Sequence, residues 1–138
     1  MLVLDTNHLS ELDRGFALGI ALRRRLDQAR EPVATTIATV EERLRGWLTA
    51  IARAKTPADQ VAAYAWLQGG LRDLSSWTIL PFDQSAAAKF VELRSSRLRV
   101  GTMDLKIASI VLANDAKLLT RNLRDFEPIP GLVAEDWL

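Results

Sequence analysis

The sequence predicts an α/β fold in which a mainly parallel central sheet is flanked by helices. Short apolar or β-branched runs alternate with longer stretches in which apolar residues recur at helical spacing, a pattern that favours parallel strands joined by helices. The first run, residues 2–4, contains no polar residue, which is typical of a strand covered on both faces. The chain has 138 residues, about the size of one domain, so one domain is expected over residues 1–138.

The composition excludes several classes of protein. Because the chain has no cysteine, it has no disulfide framework and no thiol chemistry, which is compatible with a reducing cytoplasm, the expected location. The opening apolar run is short and has no basic residues before it, so neither a signal peptide nor a membrane span is expected. Arginines cluster at residues 23–25, 43–53, 94–99 and 121–124. These clusters suit RNA or an acidic partner, although a solvated helix face is the more common explanation.

The start of the chain is predicted to form a strand, two helical segments and a second strand. Thr6 is expected to cap a helical turn, which places Asp5 at the carboxyl end of the first strand, where open α/β sheets bind ligands. Asp5 could equally cap that helix itself. Apolar residues among basic ones predict a surface helix over residues 16–30, and residues 32–36 are a candidate second strand.

Two longer helices are expected next. Apolar residues recur at helical spacing over residues 37–51. Thr39 and Glu42 have the spacing of a capping box, which taken alone favours a structural role for Glu42. Thr56 and Pro57 form a typical helix start, and two glycines at positions 69 and 70 are expected to weaken or kink that helix.

The rest of the chain repeats the alternation. Residues 77–82 predict a third strand, after which Asp83 or Ser85 is expected to cap a helix that runs to about residue 98. Residues 102–113 predict a buried helix with Asp104 in its opening turn, and residues 117–120 predict a short strand. Residues 128–138 are Pro-rich, then acidic and aromatic, and no element is predicted there.

Four carboxylates lie close to element ends: Asp5, Glu42, Asp104 and, after the last predicted strand, Asp125. In a parallel sheet these positions can converge, and carboxylates brought close raise one another's pKa unless a divalent cation compensates their charge. Oxygen ligands without a histidine or cysteine cluster favour Mg²⁺ or Mn²⁺, and such a site suits phosphodiester hydrolysis. His8, the one histidine, is expected to be a polar residue on an exposed turn rather than a general base.

Four ordered motifs resemble those of PIN-domain ribonucleases, in particular the VapC-type toxins of bacterial toxin-antitoxin pairs. They are Leu-Asp-Thr-Asn at residues 4–7, Glu-Arg-Leu-Arg-Gly at 42–46, Gly-Thr-Met-Asp-Leu-Lys-Ile-Ala at 101–108, and Leu-Thr-Arg-Asn-Leu-Arg-Asp-Phe at 119–126, followed by Pro-Gly-Leu at 130–132. The resemblance spans almost the whole chain. It implies a PIN-like three-layer sandwich, Mg²⁺-dependent endoribonuclease activity, a homodimer, and inhibition by a small VapB-like antitoxin.

The resemblance also implies roles for individual residues. Asp5 and Asp104 match the primary metal ligands, and Glu42 matches the third acid. Because Asn122 is neutral, the fourth carboxylate falls to Asp125 or is missing.

Neighbouring polar residues are expected to contact the RNA or to orient Asp5, water or phosphate; they are Thr6, Asn7, Thr120 and Asn122. A degenerate PIN module that binds RNA or protein without cutting is the alternative, and only Asn122 favours it. An aspartate-nucleophile phosphatase normally has a second acid two residues after the first. Because this chain has Asn7 at that position, the phosphatase alternative is disfavoured.

Overall fold

The computed structural model describes all residues, 1–138, and has a five-stranded, fully parallel sheet. In chain order the strands are β1 (Leu2–Leu4), β2 (Val33–Thr36), β3 (Ile79–Leu80), β4 (Lys117–Leu119) and β5 (Val133–Glu135). Their spatial order is β3-β2-β1-β4-β5, so the strand that comes first in the sequence lies in the middle of the sheet. The predicted α/β fold with a parallel central sheet is confirmed.

Seven helices connect the strands. They are α1 (Thr6–Arg14), α2 (Ala17–Ala29), α3 (Ile37–Arg53), α4 (Pro57–Ser75), α5 (Gln84–Ser95), α6 (Thr102–Ala113) and the single turn α7 (Leu123–Phe126). Among these helices there is no candidate for a membrane span.

The side chains of β1 divide the core into the two interfaces of a three-layer sandwich. Leu2 and Leu4 pack on one face with leucines of α1 and α2, whereas Val3 packs on the other face with the apolar residues of α5 and α6. Alternate residues of a strand point to opposite faces, so an apolar run without polar alternation is what a central, doubly covered strand requires. All three of these side chains are fully buried.

The strand register aligns the carboxyl ends of the inner strands. Leu4 of β1 pairs with Thr35 of β2 and with Leu119 of β4. The backbone N–H of Asp5 donates to the carbonyl of Leu119 at 3.1 Å, which extends the ladder by one residue. The residues that follow β1 and β4, Asp5 and Thr120, therefore lie at the same edge of the sheet.

Several predicted element bounds were wrong. The strand predicted over residues 77–82 is only Ile79–Leu80, and the helix predicted to reach residue 98 ends at Ser95. Both β5 and α7 lie where no element was predicted. The predicted surface helix begins at Ala17, and three of its apolar positions, Phe16, Leu18 and Ile20, are exposed.

The predicted cap of α4 is confirmed, and one of its glycines is required by packing. The Thr56 side chain accepts from the backbone N–H of Asp59, and α4 continues through Gly69 and Gly70. A Cβ on Gly70 would lie 2.1 Å from Cζ2 of Trp47 on α3, whereas a Cβ on Gly69 would meet nothing within 4 Å. Gly70 is therefore the position at which the Trp47 ring of α3 packs against the backbone of α4.

This difference predicts opposite effects for the same substitution at adjacent positions. Gly70→Ala is expected to destabilise the chain by about 1–3 kcal/mol because Trp47 must move. Gly69→Ala, the matched control, is expected to raise stability by up to about 1 kcal/mol, since alanine loses less backbone entropy in a helix. Urea denaturation measures both. Equal effects of the two substitutions would contradict this account of the α3–α4 contact.

Candidate functional site

Asp5 caps α1 and sits at the carboxyl end of β1. Its backbone is extended, and its Oδ1 accepts from the backbone N–H of His8 at 3.0 Å. Asp5 is therefore the N-cap of α1, and the prediction that Thr6 is the cap was wrong. The residue is only 6% exposed. A carboxylate at a helix N-terminus is stabilised by the helix dipole and by the free N–H groups, which helps to keep this nearly buried charge in place.

Glu42 is held from the first turn of α1 and not by a capping box. The Thr6 hydroxyl donates to Oε2 of Glu42 at 2.5 Å, which links α1 to α3. The cap of α3 is Thr36, whose side chain accepts from the backbone N–H of Thr39 at 3.0 Å. Thr39 therefore lies inside the helix, and the predicted capping box of Thr39 with Glu42 was wrong. The Glu42 carboxylate is exposed on the side of α3 that faces Thr6.

Asp104 lies in the first turn of α6, behind Gly101, and is part-buried. Burial raises the pKa of its carboxyl above the ordinary value of 3.8, and the negative charges of Asp125, Glu42 and Asp5 raise it further, in that order. The other three predicted acids therefore all act electrostatically on Asp104.

Asp125 lies on α7, which packs against α6, the helix that carries Asp104. Phe126 is buried in the larger core cluster, which anchors this turn. The backbone N–H of Asp125 donates to the carbonyl of Asn122 at 2.9 Å, and the Asp125 carboxylate forms no ion pair. It stays exposed and contributes more to the raised pKa of Asp104 than Glu42 or Asp5 does.

The remaining predicted polar residues differ in their surroundings. Thr120 is fully buried, and its backbone N–H donates to the backbone carbonyl of Glu135 at 2.9 Å. Its hydroxyl accepts from the backbone N–H of Asn122 at 3.0 Å. Its hydroxyl therefore shapes the turn that carries Asn122 and Asp125. Asn122 and Asn7 are exposed, and their side chains make no hydrogen bond within the chain.

His8 is the residue whose position was predicted wrongly. It is fully buried and not exposed. Its Nδ1 lies 3.2 Å from Oδ1 of Asp5, and its Nε2 accepts from the backbone N–H of Trp137 at 3.2 Å. The adjacency of Asp5 and His8 at helical spacing was visible in the sequence. The contact between His8 and Trp137, which lie 129 residues apart in the chain, was not visible there.

The donor set fits a hard divalent cation, although the side chains do not form a closed cage. No three of the histidine, aspartate and glutamate side chains are close enough together to hold an ion as they stand. The fit rests on chemistry: all four groups are carboxylates, and repulsion by the other three raises the pKa of Asp104. Asp5, Asp104, Glu42 and Asp125 would hold such a cation, which would remove that repulsion.

The raised pKa of Asp104 predicts a pH-dependent effect of its removal. The pKa of Asp104 in the folded chain is higher than the ordinary 3.8, so the folded state binds the carboxyl proton more tightly than the unfolded state does. The protonated carboxyl therefore favours folding, and this contribution to stability is lost as pH rises through the raised pKa. Asp104→Asn is therefore expected to raise the urea midpoint of metal-free protein near neutral pH. That gain should shrink as pH falls and vanish below the ordinary pKa of 3.8.

The control for this experiment is Asp27→Asn, on the exposed surface of α2, which should leave the urea midpoint nearly unchanged at both pH values. A loss of stability in Asp104→Asn at neutral pH, or a gain that does not depend on pH, would contradict the proposed origin of the pKa shift.

Residues 2–132, nearly the whole chain, match the family model described as the PIN domain. This chain belongs to the PIN domain family. The match includes every residue discussed as a candidate ligand or substrate contact, from Asp5 to Asp125. The family predicted from the four motifs is therefore confirmed.

Two curated relatives of this PIN domain carry names that describe nucleases. It is 37% identical over 68 residues to the protein named ribonuclease VapC2 from Rickettsia felis, a match that covers 46% of this chain and 51% of the relative. It is 35% identical over 68 residues to the tRNA(fMet)-specific endonuclease VapC of Salmonella typhimurium, covering 46% and 52%. The chain thus spans about half the length of the curated relatives it matches.

Solved structures resemble this PIN domain over nearly its full length. One is a chain of VapBC2 from Rickettsia felis, in a structure bound to a DNA fragment from the promoter. It superposes on this chain with a TM-score of 0.74 and 24% sequence identity, and the match covers 99% of this chain and 98% of that chain. DNA-bound VapBC from Salmonella typhimurium gives a TM-score of 0.71 and 25% identity, with coverage of 99% and 98%. These likenesses confirm the three-layer fold.

Proposed function

We propose that this PIN domain is a metal-dependent endoribonuclease that hydrolyses phosphodiester bonds in RNA and acts as the toxin of a toxin-antitoxin pair. The observation that carries the proposal is the grouping of three further carboxylates, Asp125, Glu42 and Asp5, around Asp104, whose pKa their negative charges raise. A cluster of this kind is costly without a cation, and it lies at the carboxyl ends of the strands, where parallel sheets bind ligands.

The four acids are proposed to share the binding of Mg²⁺, or of Mn²⁺ in its place. Asp5 and Asp104, the less exposed pair, are the primary ligands, while Glu42 and Asp125 approach from the solvent side. When bound, the cation polarises the phosphate and lowers the pKa of the attacking water.

The chain's own polar groups are proposed to position the acids and the RNA. The Thr6 hydroxyl fixes one oxygen of Glu42, so this exposed glutamate keeps a defined orientation. Thr120 holds the turn that presents Asp125. The free amides of Asn7 and Asn122 are available to hydrogen-bond phosphate or base edges of the RNA.

The names of similar proteins support the toxin role. The two curated relatives are named as a ribonuclease and a tRNA-specific endonuclease, and the similar structures are described as VapBC assemblies. By analogy, we propose a homodimer and a small VapB-like antitoxin as partners. An arginine of that antitoxin is the group best suited to enter the acidic site, since a guanidinium binds carboxylates in bidentate geometry.

Purified protein with single-stranded or looped RNA tests the nuclease proposal. Cleavage is expected with Mg²⁺ or Mn²⁺ and is expected to stop when chelator exceeds the metal. Full cleavage in excess chelator would overturn the metal dependence. Folded protein that binds RNA but never cleaves it, at any metal concentration, would favour the degenerate module instead.

Expression without a partner tests the toxin role separately. Induction in a bacterial host is expected to arrest growth, and co-expression with a candidate antitoxin is expected to restore it and to yield a co-purifying complex. Harmless high-level expression of protein that cleaves RNA in vitro would remove the toxin role and leave the nuclease.

A further inference from the structure

We propose that His8 is a positioning residue for Asp5, and that the backbone of Trp137 sets the tautomer in which His8 performs this role. The inference rests on the proposed function, because it concerns the orientation of one proposed metal ligand. It adds to that site a support from the segment 136–138, which follows β5 and lies outside the four motifs.

The contacts of Asp5 are unevenly divided between its two oxygens. Oδ1 accepts from the backbone N–H of His8 at 3.0 Å and faces Nδ1 of the same residue at 3.2 Å. Both contacts end on Oδ1, so Oδ2 remains free of them. The imidazole thus fixes the plane of the carboxylate through one oxygen and leaves the other for a ligand. Hydrogen bonds of this kind to ligating carboxylates tune metal sites strongly.

The tautomer of His8 follows from its second nitrogen. The backbone N–H of Trp137 points at Nε2 from 3.2 Å, and a backbone N–H can only donate. Nε2 must therefore present its lone pair, which leaves the proton of the neutral ring on Nδ1. Nδ1–H then donates to Oδ1 of Asp5. The Asp136 carboxylate lies 3.6 Å from Nε2, too far for a hydrogen bond.

The position of the Trp137 N–H is fixed by contacts from three elements. Arg25 of α2 donates to the Trp137 carbonyl at 3.2 Å, and its guanidinium lies 4.5 Å from the indole centroid. The indole N–H donates to Glu135 at 2.7 Å, and Lys117 of β4 pairs with that carboxylate at 2.7 Å. The segment is thus anchored on both sides of the one N–H that reaches His8.

Two pairs of variants separate this role from general packing. Trp137→Pro removes the indole and the N–H, whereas Trp137→Ala removes the indole alone, so their difference reports the hydrogen bond to His8. His8→Leu removes the link to Asp5. In His8→Asn the side-chain amide replaces Nδ1–H as a donor to Asp5 but does not reach Trp137.

The measurements are imidazole nitrogen NMR of metal-free protein, calorimetric titration with Mg²⁺ alone, and urea denaturation. Wild type is expected to show the Nδ1–H tautomer near neutral pH. Trp137→Pro is expected to lose that signature and to bind Mg²⁺ about 10-fold more weakly, with a smaller loss in Trp137→Ala. His8→Leu should weaken binding about as much, and His8→Asn should recover part of the loss.

A ring protonated at Nε2 in wild type would overturn the proposal, as would folded His8→Leu protein with wild-type Mg²⁺ affinity. Both results leave the nuclease proposal standing. If Trp137→Pro fails to fold, the two His8 variants decide the matter. Wild-type protein that does not bind Mg²⁺ at all would instead overturn the proposed function and, with it, the role of His8.

Discussion

Asp5→Asn is expected to reduce metal-dependent RNA cleavage by at least about 100-fold, beyond the loss typical of residues that only support a ligand. The substitution removes one negative charge from the proposed site without disturbing the helix. The asparagine side-chain oxygen can still accept from the backbone N–H of His8, and asparagine is among the best N-cap residues. The loss of activity should therefore appear as weakened metal binding in a folded protein.

The stability of the metal-free protein provides the internal control for this variant. Asp5 is one of the charges that raise the pKa of Asp104, so its neutralisation should hold or raise the urea midpoint without metal. Asp27→Asn, remote on α2, should retain full cleavage. Undiminished, metal-dependent cleavage by pure Asp5→Asn protein would remove Asp5 from the proposed site.

Asp125→Asn is expected to lower the cleavage rate severely and to increase the metal concentration needed for half-maximal activity. The reason is that Asp125 raises the pKa of Asp104 more than any other carboxylate does. In addition, no ion pair holds its own carboxylate elsewhere. The matched variant is Asn122→Asp, which adds a carboxylate one helical turn away. It should have a small effect on cleavage or tighten metal binding.

The competing explanation is that Asp125 only interacts with Arg121 or Arg124 at the surface. Its loss would then cost at most about 1 kcal/mol of stability and leave cleavage unchanged. A fully active Asp125→Asn enzyme with unaltered metal dependence would show that Asp5, Glu42 and Asp104 suffice.

The parts of the fold that could be predicted are those encoded by neighbouring residues. The apolar run of residues 2–4 identifies a doubly covered strand, and Thr56 with Pro57 identifies the start of α4, because both signals are local. β5 has no such signal. It is a three-residue edge strand, and its ladder with β4 forms only after residues far apart in sequence have met.

The candidate site shows the same limit. The acids could be selected because each lies near an element end, but the role of Glu42 was ambiguous between a capping box and the site. Two threonines, Thr36 and Thr39, precede it, and only the observed start of α3 shows that the first is the cap. His8 was placed on the surface since its buried environment depends on Trp137, which sequence spacing cannot connect to it.

The outer strands of the sheet also limit how copies of this chain can associate. β3 has two residues and is followed directly by Pro81, which has no N–H to offer, and β5 has three residues. A strand added at either edge of the sheet would form few backbone hydrogen bonds. Neither edge strand is therefore a good template for a continuous intermolecular sheet or for fibre growth. The homodimer proposed above is therefore expected to form through helical surfaces, with two separate five-stranded sheets.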